Sequence, residues 1–316
     1  MDKLKDPLGR SFRVLRVSLL DTCNFACTYC VCEDPLIPEK MAETTLSVGE
    51  LIRLISNLHE TLNLQTVRLT GGEPLLYPDL AALIAGIRSL GIRDIKMTTN
   101  GFLLARKIEA LKRGGLRSIN VSLDALDGER FFRMTRRMGV ARVVEGILAA
   151  KEAGVDVKIN TVVMRGENDN EILPLLDFAF RHGLKIRFLE LMGMGHLHGN
   201  ADGKFFSKQA MLTKIASRYL VRELAKRPGE TATYYRTACG NSFGIIANES
   251  QPFCSDCNRL RLDVKGNIYG CLSSNVPIAI ADITTQKGLE ASLCAALAQK
   301  QLKFSGSELS MLTIGG

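Results

Sequence analysis

The feature that most constrains this chain is an alternation, repeated six times over its first two-thirds, of a short β-branched run with an amphipathic helix. The runs fall at residues 13–19, 66–69, 94–98, 118–123, 155–164 and 185–191. Between them apolar residues recur at helical spacing: Leu51, Leu54, Ile55, Leu58 and Leu62 form one stripe, Val140, Val143, Val144, Ile147 and Leu148 another. Gly91, Gly114, Gly154 and Gly183 stand where helices should stop before the next strand. Strands joined through helices lie parallel, with right-handed crossovers. The expected fold is therefore α/β, an incomplete (β/α)6 TIM-like barrel, since six repeats do not make a closed eightfold one. In such folds the loops at the C-terminal ends of the strands carry the chemistry.

The pattern changes after about residue 195. A glycine-rich stretch from Gly193 to Gly203 precedes a helix at 207–219, hairpin-like segments turning near Gly240 and at Lys265-Gly266-Asn267, and a last helix at about 289–300. The chain thus reads as a partial barrel, residues 1–195, and a smaller C-terminal α+β region, residues 196–316, packed on it.

With 46% hydrophobic residues among 316, a large core is available. No apolar run reaches the roughly 18 residues of a membrane span, and the N-terminus has no stretch resembling a signal peptide, so a soluble, cytoplasmic protein without membrane contact is expected. The net charge of +8 suits an anionic partner. The bases are scattered, however, and their densest cluster, Arg133, Arg136 and Arg137, reads as a solvated face. No nucleic-acid motif occurs, so nucleic acid is not an expected partner.

Nine cysteines in a chain of this kind argue for metal or catalysis rather than a disulfide framework. Six form two triplets. Cys23, Cys27 and Cys30 make a C-x3-C-x2-C run directly after the first strand, and Cys254, Cys257 and Cys271 make C-x2-C-x13-C. Soft thiolates suit iron–sulfur clusters, and three ligands to a four-iron cubane leave one iron open to a small molecule. Structural zinc, which takes four ligands, is the alternative at both places. Cys32 could complete the first site; Cys239, His196 or His198 could complete the second.

The first triplet, with Tyr29 before its last cysteine, resembles the radical S-adenosylmethionine superfamily, as does Gly71-Gly72-Glu73-Pro74 after the second strand. In that family the cofactor chelates the open iron, and its reductive cleavage releases a 5′-deoxyadenosyl radical. The resemblance implies cofactor contacts at Tyr29, Gly72, Ser122 and Met192. Both triplets together resemble the GTP 3′,8-cyclase family of molybdenum-cofactor biosynthesis, from about residue 10 to the end. The shared features include Lys158 within Val157–Asp169, Arg187 in Ile186-Arg-Phe-Leu-Glu, the run from Cys257 to Leu262, and the terminal Gly315-Gly316.

That resemblance implies two [4Fe-4S] clusters, S-adenosylmethionine and GTP. Substrate contacts are expected at Arg16, Arg68, Thr99, Lys158, Arg187, Arg259, Leu260 and Arg261. Catalytic roles are expected for Arg259, Arg261, Gly315 and Gly316. Converging arginines and lysine suit a triphosphate on physical grounds as well; pairing of the strand cations with Glu73, Glu190 or Asp124 is the structural alternative. The family further implies a flavodoxin- or ferredoxin-like electron donor, a downstream cyclic pyranopterin monophosphate synthase that takes the product, and allows a homodimer. Thr22 and Ala26 replace the family's arginines, and Val31-Cys32 its usual Met-Pro. A radical enzyme acting on another substrate, and a zinc-stabilised nucleotide-binding regulator, are the rival readings.

Overall fold

The computed structural model describes residues 4–32, 46–227 and 229–315. Six parallel strands with intervening helices follow in order: β1 (Val14–Ser18), α1 (Val48–Leu62), β2 (Thr66–Thr70), α2 (Leu80–Ser89), β3 (Asp94–Thr99), α3 (Leu104–Gly114), β4 (Ser118–Ser122), α4 (Gly128–Thr135), α5 (Val140–Glu152), β5 (Asp156–Val163), α6 (Ile172–Arg181) and β6 (Lys185–Glu190). Each strand expected from sequence is present within two residues at either end. α4 was not foreseen, because its eight residues carry too few apolar positions to show a period.

Local chemistry explains the boundaries. Ser47 caps α1 by accepting from the Glu50 amide, and the Glu50 carboxylate accepts from the Ser47 amide at 2.8 Å. This reciprocal box contributes about 1 kcal/mol. Asn63, at φ 53, ends the helix in left-handed backbone. The five α1 stripe residues are all buried against the sheet, each contributing roughly 1.5–3 kcal/mol relative to exposure.

The remaining elements are α7 (Lys208–Ala216), β7 (Val221–Glu223), β8 (Thr233–Thr237), β9 (Ser242–Ile246), β10 (Arg259–Leu262), β11 (Asn267–Tyr269), β12 (Ile278–Ala279), α8 (Gln286–Ala298) and α9 (Met311–Ile314). Their strands join the same sheet at both of its edges. β9 adds parallel to β6, β10 adds parallel to β1, and the order runs β12-β11-β10-β1-β2-β3-β4-β5-β6-β9-β8-β7. The two outermost strands, β12 and β7, do not pair, so the barrel stays open. Among the described residues no helix is long and apolar enough to cross a membrane.

Candidate active site

Strand alternation sends Leu15, Val17, Val67, Leu69, Ile95 and Met97 into the core and turns Arg16, Arg68 and Lys96 to the other face. Register then sets these cations side by side. Arg261 on β10 pairs with Arg16, Arg16 with Arg68, and Arg68 with Lys96, giving four positive residues abreast on adjacent strands. Like charges directly opposite one another destabilise a sheet.

Little in the protein offsets this repulsion. Lys96 pairs with Asp94 at 2.7 Å, and Arg261 donates to the Ile314 carbonyl at 3.1 Å and to that of Gly315. Arg16 Nε, Arg68 Nη1 and Arg259 Nε are buried without a partner among the described residues. Burial first, then repulsion from Arg261, Arg68 and Arg259, holds Arg16 well below the usual guanidinium range. Burial and Arg187 bring Arg68 down to about 10, and burial and Arg259 bring Arg261 to about 10.

These side chains border a cavity of about 430 Å³. Lys158, Arg187 and Lys300 line it too, as do the three thiols Cys254, Cys257 and Cys271. Lys158 pairs with Asp156 at 2.5 Å, and Arg187 donates to Asn160 Oδ1 from two nitrogens at 3.0 and 2.8 Å. The acids anticipated as partners are occupied elsewhere. Glu73 accepts from Thr99, Asn100 and Leu75; Glu190 accepts from Lys208, Glu249 and Ser250; Asp124 accepts from Tyr29 and Val162. What remains is a chamber of under-paired cations, which costs energy until an anion fills it.

A second, smaller cavity of about 190 Å³ lies at the C-terminal ends of the strands. Cys23, Cys27 and Cys30 line it, with Tyr29, Gly72 and Ser122. Burial pushes the Cys23 thiol up to about 12 and that of Cys30 to about 11, and it raises Cys27 well above the usual range. Glu73 adds to the shift of Cys23, and Asp124 to that of Cys27. Three neighbouring thiols that cannot ionise alone are suited to a positively charged group that deprotonates them on binding. An iron–sulfur cluster is such a group, and three cysteines around a cavity match its ligand demand. Among the described residues no three His, Cys, Asp or Glu side chains are arranged to hold a single ion.

The proposed fourth zinc ligands lie elsewhere. Cys32 and Cys239 are exposed, as is Cys294, and His196 Nε2 is bonded to the Thr28 carbonyl at 3.1 Å. None of Cys239, His196 and His198 lines the larger cavity.

Gly71-Gly72 has a closer structural reason than access for a cofactor. A Cβ on Gly72 would stand 1.9 Å from the Thr22 carbonyl oxygen, and one on Gly71, at φ 129, 2.6 Å from that of Leu20. The Gly72 amide donates to Leu20 at 2.6 Å and the Glu73 amide to Thr22 at 2.9 Å. The glycines thus let the β2 loop clasp the cysteine loop. Glu73, pushed up to about 7 by burial, is then fixed below the smaller cavity by Thr99 Oγ1 at 2.6 Å and the Asn100 amide at 2.7 Å. The Tyr29 hydroxyl donates to Asp124 at 2.8 Å, and burial raises that carboxyl to about 6.

The two cavities share a wall: Thr98, Asn160, Leu189, Glu190, Met192 and Met311 face both. Arg16, Arg68, Lys158, Arg187, Arg259 and Arg261 come together in the larger one. Thr99 lines the smaller instead, with its hydroxyl on Glu73. Leu260 is buried in the core and does not line the larger cavity, unlike its neighbours Arg259 and Arg261. Gly315, at φ 73, packs where a Cβ would meet Thr70 Cγ2 at 2.5 Å; Gly316 lies outside the described residues. The sequence reading missed Lys300 and Met311, which carry no motif and reach the site only through long-range packing, and also Asn160, which lies inside the Val157–Asp169 run two residues after Lys158 on β5.

Comparisons with known proteins agree with this geometry. The profile of the Radical SAM superfamily matches residues 17–179, and that of Molybdenum Cofactor Synthesis C matches residues 184–305. A GTP 3′,8-cyclase of Synechocystis sp. is 39% identical over 282 residues, covering 89% of this chain and 85% of that protein. The chain belongs to the GTP 3′,8-cyclase family. A further GTP 3′,8-cyclase, from Aquifex aeolicus, is 38% identical over 86% of this chain and 85% of its own length. One from Staphylococcus aureus is 39% identical over 87% and 83%. Among solved structures, Streptococcus suis SuiB bound to its precursor peptide SuiA superposes with a TM-score of 0.64, over 92% of this chain and 71% of that one, at 15% identity. That likeness shows the fold alone. The cyclase family is one of radical S-adenosylmethionine enzymes, and the partial barrel with its C-terminal extension is the fold expected of this chain.

Proposed function

We propose that this chain is a radical S-adenosylmethionine lyase that converts GTP to 3′,8-cyclo-7,8-dihydro-GTP, the first step of molybdenum cofactor biosynthesis. The observation that carries this reading is the in-register row Arg261–Arg16–Arg68–Lys96 facing a thiol-bearing chamber. A triphosphate supplies the missing negative charge.

Cys23, Cys27 and Cys30 hold the first [4Fe-4S] cluster, with S-adenosylmethionine beside Tyr29, Gly72, Ser122 and Met192. Cys254, Cys257 and Cys271 hold the second. When bound, the first cluster and its cofactor supply one-electron chemistry strong enough to take a hydrogen atom from a ribose carbon. The protein's share is placement. Arg16, Arg68, Lys158, Arg187 and Arg259 clamp the phosphates, the β10 backbone at Leu260 lies alongside, and Met192 and Asn160 stand where the two chambers meet. The ribose C3′, once its hydrogen is removed, bonds to C8 of the same nucleotide's guanine. Holding both atoms in one conformer is the positioning contribution to rate. The resulting nucleotide radical takes up one electron from the external donor and one proton from solvent, and Arg259 and Arg261 neutralise the charge that develops before the proton arrives. Thr99 orders Glu73 under the cofactor, and Arg261 holds the Ile314 and Gly315 carbonyls at the chamber, so that the tail ending in Gly315-Gly316 takes part in the reaction.

Residues 1–195 form the radical S-adenosylmethionine partial barrel, which also supplies Arg16, Arg68, Lys158 and Arg187 to the substrate, and residues 196–316 the second-cluster and substrate-binding region. The enzyme works in the cytoplasm, alone or as a homodimer. It receives electrons from a flavodoxin- or ferredoxin-like donor and passes its product to cyclic pyranopterin monophosphate synthase. Anaerobic incubation of the reconstituted protein with GTP, S-adenosylmethionine and a reductant should yield 5′-deoxyadenosine and a cyclised nucleotide together. Deoxyadenosine formation that ignores GTP would overturn the substrate.

A further inference from the structure

α4 forms a wall one helix thick between the first cysteine cavity and solvent. Its inner residues Phe131 and Thr135 line that cavity, and the Phe131 ring meets Phe25 edge-on at 5.7 Å. The carbonyls of Thr135 and Met134 accept from the Ala26 and Thr28 amides at 3.0 and 2.9 Å, stitching the helix to the cysteine loop. Arg136 ends the helix at φ 54, and its guanidinium donates to the Cys32 carbonyl at 2.9 Å.

The outer side is apolar at its centre and basic at its rim. Phe132 is 46% exposed and Met138 72% exposed. Arg133 and Arg142 are exposed beside them, Arg136 and Arg137 half-buried, and Arg142 lies over the Phe102 ring at 4.1 Å. The exposed acids on these elements are Asp127 and Glu129, at the far N-terminal end of α4, and Glu145 and Glu152 on α5, the last at that helix's far C-terminal end. Among the described residues the patch is therefore positive where it adjoins the cysteine loop. The arginine cluster that reads in sequence as a solvated face is carried by the fold to the back of the first cluster site.

We infer that this surface docks a small acidic electron-carrying protein and is the entry point for the electron that reduces the first cluster. The inference rests on the cyclase reading, which needs electrons from outside the chain. A basic rim around an exposed aromatic and a methionine has the make-up of a transient protein interface. A helix is about 10 Å thick, so a carrier seated here brings its redox group close to Cys27 and Cys30 without entering the cavity. One electron leaves the carrier's reduced flavin or iron–sulfur group and enters the cluster; no atom is transferred.

The test is stopped-flow reduction of the anaerobically reconstituted holoenzyme by reduced flavodoxin, read as bleaching of the cluster absorbance. The double substitution Arg133→Glu, Arg142→Glu should slow reduction about tenfold at low salt, and the difference should close in 1 M salt, where the screening length falls to about 3 Å. Arg133→Lys with Arg142→Lys should keep the wild-type rate, and dithionite should reduce all three proteins equally. Equal flavodoxin rates for wild type and the glutamate variant at low salt would overturn the docking surface. So would equal slowing with dithionite, which would mean damage to the cysteine loop. Failure of the cyclase reading would show differently, as absence of cyclised nucleotide with dithionite in every variant.

Discussion

The Lys300 ammonium donates to the Cys257 sulfur at 3.5 Å and to the Arg259 carbonyl oxygen at 2.5 Å, and its charge sits 4.5 Å from the Phe12 ring centre. Burial alone would push the Cys257 thiol up, but Lys300 and Arg259 hold it at about 7, whereas burial raises its neighbour Cys254. In cluster-free protein at pH 7.5, Cys257 should therefore react with iodoacetamide faster than Cys254. Lys300→Met should slow Cys257 by about tenfold, as its thiolate fraction falls, and Lys300→Arg should restore it. Peptide mapping of the alkylated sites gives the answer; indifference of Cys257 to the loss of Lys300 would refute the assignment.

Arg68 illustrates a site built at the expense of stability. It stands between Arg16 and Lys96 in the strand register, with a buried nitrogen unpartnered. Arg68→Met should make the protein without ligand more stable, by about 1 kcal/mol, through lost like-charge repulsion. The same change should weaken GTP binding at least about tenfold, since a charged phosphate contact is removed. Urea midpoints and calorimetric GTP titrations should thus move in opposite senses.

Asp124 makes stability depend on pH in a defined direction. Burial lifts its pKa from 3.8 to about 6 despite the bonds from Tyr29 and Val162. For an acid raised in the folded state, its contribution is fully present below the unfolded value and is lost as pH rises through the folded one. Cluster-free wild type should accordingly lose on the order of 3 kcal/mol between pH 4 and 7 relative to Asp124→Asn. Chemical denaturation of both proteins across that range measures it; parallel pH profiles would contradict the buried, ionisable carboxyl.

Gly72→Ala should disrupt the first cluster site without touching the second. The added methyl would stand 1.9 Å from the Thr22 carbonyl oxygen, so the cysteine loop must move. After anaerobic reconstitution the variant should hold about four irons instead of about eight, with the second triplet still loaded. Iron and sulfide analysis decides it.

The tail offers a sharper separation of binding from chemistry. Arg261 donates to the Ile314 and Gly315 carbonyls. Removing Gly315 and Gly316 should leave both clusters in place yet abolish formation of the cyclised nucleotide, as seen by chromatography of the quenched reaction. Undiminished product would exclude a role for the tail.

Much of this architecture is legible in the sequence, because the signals are local. The α1 stripe, the six strands and the two cysteine triplets each declare themselves within a few residues, through period or spacing. Arg16, Arg68 and Arg187 stand out as charges inside β-branched runs. The sequence cannot show that Arg16 and Arg261 are neighbours, since that depends on β10 pairing with β1 across most of the chain. Lys300 and Met311 are invisible for the same reason. Thr99 is a different case: its place on the strand end is clear, but whether its hydroxyl serves the substrate or Glu73 depends on the bend of a loop that no residue pattern encodes.

The pairing of β1 with β10 also bears on how the protein is made. Val14 leaves the ribosome more than two hundred residues ahead of its partner Arg259, an interval of roughly 10–50 s at ordinary synthesis rates. During that time the outer edge of β1 has open hydrogen-bonding groups beside buried-type side chains, an invitation to mispairing. A nascent chain of this design should call on chaperones until its last third emerges, and its folding yield should improve when translation is fast relative to aggregation.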